Sequence, residues 1–474
     1  MKSFPPIIIA VLLSGCVLGP NYSRPATPAA GAGSFVATAG AAQFSSAPPP
    51  SRWWHLYDDA ALDGYVEQAL AANTDLRVAS ANLERARAIL SETRGARLPS
   101  TVITGGGSYI RSFNAGGGGT TTRTGAYEGQ YYTAGLDVSY ELDLFGRVRR
   151  SIQAARADAA AIEATRDTVR VTVAAETTRA YADACAAAEQ LAVAQQSLKV
   201  QNETFALTER LYTAGRDTPL DVDRARALVE ATRATLPTFA ADRRAALYRL
   251  AVLTGQAPEV PLAAAAACMR PPRLAAPLPV GDGTTLLQRR PDIRQADRTL
   301  AAATARIGVA ISALYPQVTL GGAVSNSALR IGGLGSSAGL SFNIGPAITW
   351  TFPNVTVARA RILQARASNT AALASFDGTV LGALRDTETA LSALAAETER
   401  YQSLKASRDF NAEAVRIVSL RYGAGRENFL AVLDAQRTLA NAEASLAASE
   451  AALSTDRINV FKQLGGGWDA APLQ

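Results

Sequence analysis

Apolar and polar positions alternate in two distinct rhythms along the chain. From Val148 to Thr213 apolar residues recur in steps of four and three, at Val148, Ile152, Ala155, Ala159 and Ile162, and again at Leu191, Ala194 and Leu198, with no proline or glycine between. That spacing lays one stripe on one face of a helix, and 66 residues at 1.5 Å each predict a helix of roughly 100 Å. Shorter helices are expected at Asp75 to Leu98 and Pro219 to Thr254. Stacked end to end they would reach about 90 Å, nearly the length of the long one. Val222, Val229, Leu236 and Leu250 fall on a seven-residue ladder broken only by Arg243, and Val432, Leu439, Leu446, Leu453 and Val460 form a second. Ladders this long indicate coiled-coil-like packing.

The other rhythm has period two. Leu136, Val138, Tyr140, Leu142 and Leu144 alternate with Asp137, Ser139, Glu141 and Asp143. Leu340, Phe342, Ile344, Ile348, Trp350 and Phe352 alternate with Ser341, Asn343, Thr349 and Thr351, and Val318, Leu320 and Val324 follow the same rule. Strands of about ten residues, apolar on one side and polar on the other, with aromatics near one end, suit a transmembrane β-barrel. They also suit a half-buried soluble sheet. Two hairpins supply four strands, whereas bacterial barrels have at least eight, so closure requires two or three chains. The intervening segments, Asn114 to Gly129 and Ile331 to Ser337, read as loops.

The chain is also written twice. Tyr212-Thr213-Ala214-Gly215-Arg216 recurs as Tyr422-Gly423-Ala424-Gly425-Arg426, and Ala155-Arg156-Ala157 as Ala365-Arg366-Ala367, 210 residues on; earlier in each half the offset is 217. Each half reads helix, two strands, long helix, turn, helix. Gly215 stops the first long helix and Thr218-Pro219 starts the next; Gly425 and Asn428 repeat this. The expected organisation is a leader (1–15), a tether and start of the body (16–60), a first repeat (61–254), a linker (255–283), a second repeat (284–464) and a tail (465–474).

Composition narrows the function. The chain has 474 residues, 48% hydrophobic and 19% charged, with a net charge of +6. The arginines are scattered singly, without the basic patch that nucleic acid requires. One histidine and three cysteines leave too few ligands for a His or Cys metal site and no His-centred triad, so a cofactor-free, non-enzymatic protein is expected. Carboxylate chemistry would need two acids in a cleft, and the acids here alternate with helix-face arginines as solvated pairs. Lys2, the apolar Ile7 to Leu13 and Leu13-Ser14-Gly15 before Cys16 resemble a bacterial lipoprotein signal. Cys16 would then carry covalent lipid, and Val17 rather than Asp after it implies the outer membrane. No later stretch is apolar for 18 residues, and the Pro, Ala, Gly and Ser-rich residues 17–52 read as a tether. Cys185 and Cys268 read as two buried thiols, pairing being the alternative.

Several motifs together resemble the TolC-like outer membrane factors, in the lipoprotein subgroup that serves tripartite RND-type efflux pumps. They are Trp53-Trp54-His55-Leu56-Tyr57, Leu142-Asp143-Leu144-Phe145-Gly146-Arg147, Arg290-Pro291-Asp292-Ile293-Arg294, Leu433-Asp434-Ala435-Gln436 and Gly465-Gly466-Gly467-Trp468. The resemblance implies a mixed helical and β-barrel membrane protein: a homotrimer whose twelve strands share one transmembrane barrel, continuous with a periplasmic α-barrel of long antiparallel helices. It implies a passive exit duct opened by a periplasmic adaptor protein and an inner-membrane RND-type transporter. Tyr212, Gly215, Arg216, Tyr422, Gly425 and Arg426 resemble the family's adaptor-contact turn. Asp434 matches an aspartate of the family's inner aperture, where its ring of three would favour cations; Ala431 stands where a second aspartate is expected. Asp434 lies about 200° round the helix from Val432, and Glu427, seven residues earlier, is placed on the same stripe as part of this gate. The competing expectation is an Asp434–Arg437 surface pair. Phe352-Pro353-Asn354-Val355 departs from the family's turn after the fourth strand. A type I protein-secretion duct and a non-channel periplasmic coiled coil remain alternatives.

Overall fold

The computed structural model describes residues 17–26, 31, 33–38, 42–113, 126–274, 277–352 and 355–467. Cys16 with its leader, the loop from Asn114 to Gly125, Pro353-Asn354 and Trp468 lie outside the described residues. In chain order the elements are β1 (Phe44–Ser45), α1 (Ala60–Ala72), α2 (Thr74–Gly95), β2 (Ser100–Phe113), β3 (Ala126–Leu142), α3 (Arg147–Thr213), α4 (Pro219–Arg233) and α5 (Leu236–Leu253). They continue with α6 (Ala263–Ala267), β4 (Leu278–Pro279), α7 (Gly283–Arg289), α8 (Pro291–Ser312), β5 (Gln317–Ala328), β6 (Leu340–Thr349), α9 (Val355–Gly423) and α10 (Phe429–Gln463). The chain divides into two compact units, one of residues 1–24, 84–162 and 296–376 and the other of residues 25–83, 163–295 and 377–474.

The first unit holds an antiparallel four-stranded sheet in the order β2-β3-β5-β6. Leu136 sits opposite Ile103 on one side and Val324 on the other, and Val324 opposite Phe342, so the period-two pattern is in phase across the sheet. One face carries Ile103, Leu136, Val138, Leu320, Val324, Phe342, Ile344 and Ile348; the other carries Thr104, Asp137, Ser139, Thr319, Ser325 and Asn343. The apolar face is bare: Phe342 is 78% and Ile344 82% exposed. β2 and β6 each leave one edge unpaired among the described residues.

β3 begins at Ala126, so Ala126 to Gly129 belong to the strand and not to the expected loop. It ends at Leu142, two residues before the end of the sequence alternation. Asp143 has another task, accepting the N–H groups of Val148 and Arg149 at 3.0 and 2.8 Å and so capping α3. Gly146 takes a left-handed φ of 79° in this turn, and a Cβ there would come 3.0 Å from the Val17 backbone. Residues 17–24 are therefore fixed rather than free. The buried Arg150 donates to Leu18 O, Gly19 O and Asn21 Oδ1 at 2.9 to 3.0 Å, and the buried Asp297 accepts from the Tyr22 hydroxyl and pairs with Arg24 at 3.6 Å.

The second unit is built around Trp53 and Trp54. Trp53 is fully buried and stacks on Phe461 at 4.7 Å, with Leu62, Val66 and Leu250 packed in the same core. A Cβ at Gly466 would meet Trp53 Cδ1 at 2.6 Å, which is why glycine follows α10 there. Arg290 holds Asp292 with two hydrogen bonds of 3.0 and 2.6 Å and donates to Gln463 O, tying the start of α8 to the end of α10.

The expected tether also packs here: Phe35 is buried, Val36 and Ala37 donate to the Glu388 carboxylate, and β1 pairs with β4 in the linker. Pro and Gly disfavour α-helix in this segment, whose described residues form only a short 3-10 turn at Val36–Thr38, and side chains elsewhere satisfy part of its backbone.

Three further expectations are corrected in this unit. The helix read from Pro219 to Thr254 breaks after Arg233, because Pro237 lacks the N–H that would bond to the Arg233 carbonyl, and its ring crowds that group. The helix read from Asp75 to Leu98 begins as expected, at Thr74, but ends at Gly95 and follows a separate helix, α1; at the break Asn73 accepts from Asp75 N and Leu76 N and donates to Leu253 O. Cys185 and Cys268 are not two separate thiols but a disulfide, with Cα atoms 5.1 Å apart.

Candidate functional site: the paired helical turns

Two helix-turn-helix tips meet in the second unit. At the first, Gly215 has φ 69°, its N–H bonds to Tyr212 O and the N–H of Arg216 to Leu211 O; Thr218 then caps α4, accepting from Asp221 N. At the second, Gly425 has φ 70°, bonds to Tyr422 O, and Arg426 N–H reaches Arg421 O; Asn428 caps α10 by accepting from Ala431 N at 2.9 Å. Both follow from glycine closing a helix in the left-handed region and a short polar side chain opening the next.

The repeated tyrosines part company. Tyr212 is 45% exposed, whereas Tyr422 is 8% exposed and packs with Ala225, Phe429 and Val432. Its hydroxyl donates to Asp217 Oδ2 at 2.5 Å, linking the second turn to the first. Burial, then this hydrogen bond, push the Tyr422 phenol above its ordinary range. Deeper in the same seam the buried Gln436 donates to Thr204 Oγ1 at 2.7 Å, and Arg226 lies over the Phe205 ring at 5.9 Å. Tyr212, Gly215, Arg216, Gly425 and Arg426 are exposed, whereas Tyr422 is buried. Asp217 and Thr204 went unnoticed in the sequence, because nothing local marks which acid or hydroxyl a tyrosine or glutamine 205 or 232 residues away will meet.

Asp434 and Glu427 are not neighbours on one helical stripe. Glu427 lies in the turn before the Asn428 cap, so helical spacing does not apply to it, and its carboxylate pairs with Arg421 at 3.8 Å. Asp434 faces away from the buried Val432 and is 64% exposed, with Arg437 at 2.9 Å on the next turn. Asp434 thus combines the outward direction with the surface pair. Among the described residues no group of three or more His, Cys, Asp or Glu side chains gathers as a metal site, and no helix is long and apolar enough to cross a membrane.

The model of the outer membrane efflux protein family matches residues 65–256 and 284–466. The chain is 30% identical to the outer membrane protein OprJ of Pseudomonas aeruginosa over 464 residues, spanning 98% of this chain and 95% of that protein. It is 31% identical to nodulation protein T of Rhizobium leguminosarum bv. trifolii over 453 residues, 92% of this chain and 91% of that one. The solved structure of the outer-membrane channel OprN superposes with a TM-score of 0.88 at 36% identity, covering 96% of this chain and 100% of that one. The chain belongs to the outer membrane efflux protein family and serves in the outer membrane as a channel component of efflux.

Proposed function

We propose that three copies of the chain join their sheets edge to edge, β6 of one to β2 of the next, into a twelve-stranded barrel. The long helices then line a periplasmic passage that a periplasmic adaptor and an inner-membrane RND-type transporter feed with small molecules. The observation that carries this reading is the sheet of the first unit, which among the described residues has two unpaired edges and an exposed apolar face. In water such a face and such edges are a liability; in lipid the first is required and closure removes the second. Four strands fall short of the smallest bacterial barrel, and the family resemblance favours three chains over two.

Cys16 carries lipid in this reading. Residues 17–24, which follow it, are clamped to the start of α3 and to α8. Tyr212, Arg216 and Arg426 offer exposed side chains to the adaptor, while Tyr422 and Asp217 hold the two tips together until it docks. Asp434 forms the charged ring of the narrow end, each carboxylate partly offset by its own Arg437. Purified protein added to a planar bilayer should give discrete ion-conducting steps. A membrane that stays insulating with protein incorporated would refute the channel.

A further inference from the structure

At the end of the sheet where Gln317 opens β5 and Thr349 closes β6, the first unit forms a cleft of about 580 Å³. Its wall carries three guanidinium groups, Arg147, Arg306 and Arg361, and two aromatic rings, Tyr315 and Trp350. Two of the arginines are already held: Arg147 by Glu141, with Nε 2.8 Å from Oε1, and Arg306 by Asp158 at 2.5 Å. Arg361 is exposed and has no carboxylate partner among the described residues, and the first turn of its helix, α9, contains no acid. The cleft therefore keeps an uncompensated positive charge beside two pre-positioned ones.

The rings fix its level. Tyr315 stacks on Phe145 at 4.7 Å, and Trp350 donates its indole N–H to Leu314 O at 3.3 Å while remaining 53% exposed. Trp350 continues the apolar face through Ile348, which is 71% exposed, and Phe352 follows at 68%. Basic groups and amphipathic rings at the rim of an apolar band are the chemistry of a membrane interface. Arginine in particular matches a phosphate with two parallel hydrogen bonds.

We infer that this cleft binds the phosphate of a phospholipid headgroup on the helix side of the barrel, with the acyl chains lying on the exposed apolar face below Trp350. The inference rests on the reading that the sheet meets lipid. Each chain then carries one such site at the junction of strands and helices, joining the bilayer surface to the start of α9.

Delipidated assemblies of the full chain, titrated with phosphatidylglycerol and weighed by native mass spectrometry, test it. Wild type should take up one lipid per chain in preference to diacylglycerol, which lacks the phosphate, and inorganic phosphate should not displace it. Arg361→Gln should weaken uptake about tenfold, Arg361→Lys less, and Trp350→Ala should shorten retention. Equal uptake of diacylglycerol by wild type, a comparison that needs no variant, would overturn the proposal. So would unchanged uptake by Arg361→Gln, or displacement by inorganic phosphate, which would make this a site for a free anion. If the membrane reading itself fails, wild type binds neither lipid and conducts no current; if only the cleft fails, lipid binds and current flows regardless of residue 361.

Discussion

Tyr422→Phe isolates one bond at the tip. The ring keeps its place against Phe429, 5.9 Å away, so packing is preserved and only the hydroxyl that donates to Asp217 is lost. A hydrogen bond to a charged group contributes about 1.5–3 kcal/mol. Asp217 is partly exposed, so its freed carboxylate regains water and the cost should sit at the lower end, about 1.5 kcal/mol, or about tenfold in the equilibrium that frees one turn from the other. Amide hydrogen exchange should therefore quicken about tenfold in the two turns and remain unchanged in the sheet strands.

The pH dependence follows from the raised phenol. A tyrosine whose folded-state pKa lies above its unfolded value contributes stability that is fully present below the unfolded value, near 10, and is lost as pH rises through the folded one. Wild type should be indifferent between about pH 6 and 9 and approach the variant only in strong alkali. Single-channel recordings should show the variant opening more often. Identical exchange in the turns of wild type and variant would refute the assignment of Tyr422–Asp217 as the tie between the tips.

Other consequences are independent of that bond. Replacing Cys185 and Cys268 by serine removes a link between residues 83 apart, and the loop-entropy relation puts its loss at about 4.5 kcal/mol; a thermal melt with and without reductant should show a clear drop for wild type and none for the double variant. Gly466→Ala pushes a methyl group against Trp53, and overpacking of about 1–3 kcal/mol should lower the midpoint of denaturation, whereas Gly64→Ala, which meets nothing within 4 Å, should not. Asp434→Ala should reduce cation selectivity in bilayers and Arg437→Ala should increase it, since the two charges offset each other in the structure; reversal potentials that do not move in either variant would place the selective region elsewhere.

Much of this architecture was legible because periodic burial writes itself into sequence. The stripe from Val148 to Thr213 anticipated α3 within one residue, since no proline or glycine competes with it. The alternation from Leu136 and from Leu340 anticipated two strands and the apolar residues that share one face of the sheet. Failures came where one residue outweighs a pattern. The ladder through Leu236 hid the break that Pro237 makes next to it, and counting back seven from Asp434 carried Glu427 past the Asn428 cap and out of the helix. Identical local motifs also concealed different environments. Tyr212 and Tyr422 end the same kind of helix in the same kind of turn, yet only Tyr422 finds Asp217 and a buried pocket. Long-range pairing of this sort, like the joining of Cys185 to Cys268, depends on tertiary placement that periodicity does not encode.

In the proposed assembly, four strands per chain become a barrel only when three chains share them. The native mass of the detergent-extracted assembly should be that of three chains; a stable particle of one or two chains would rule out the shared barrel.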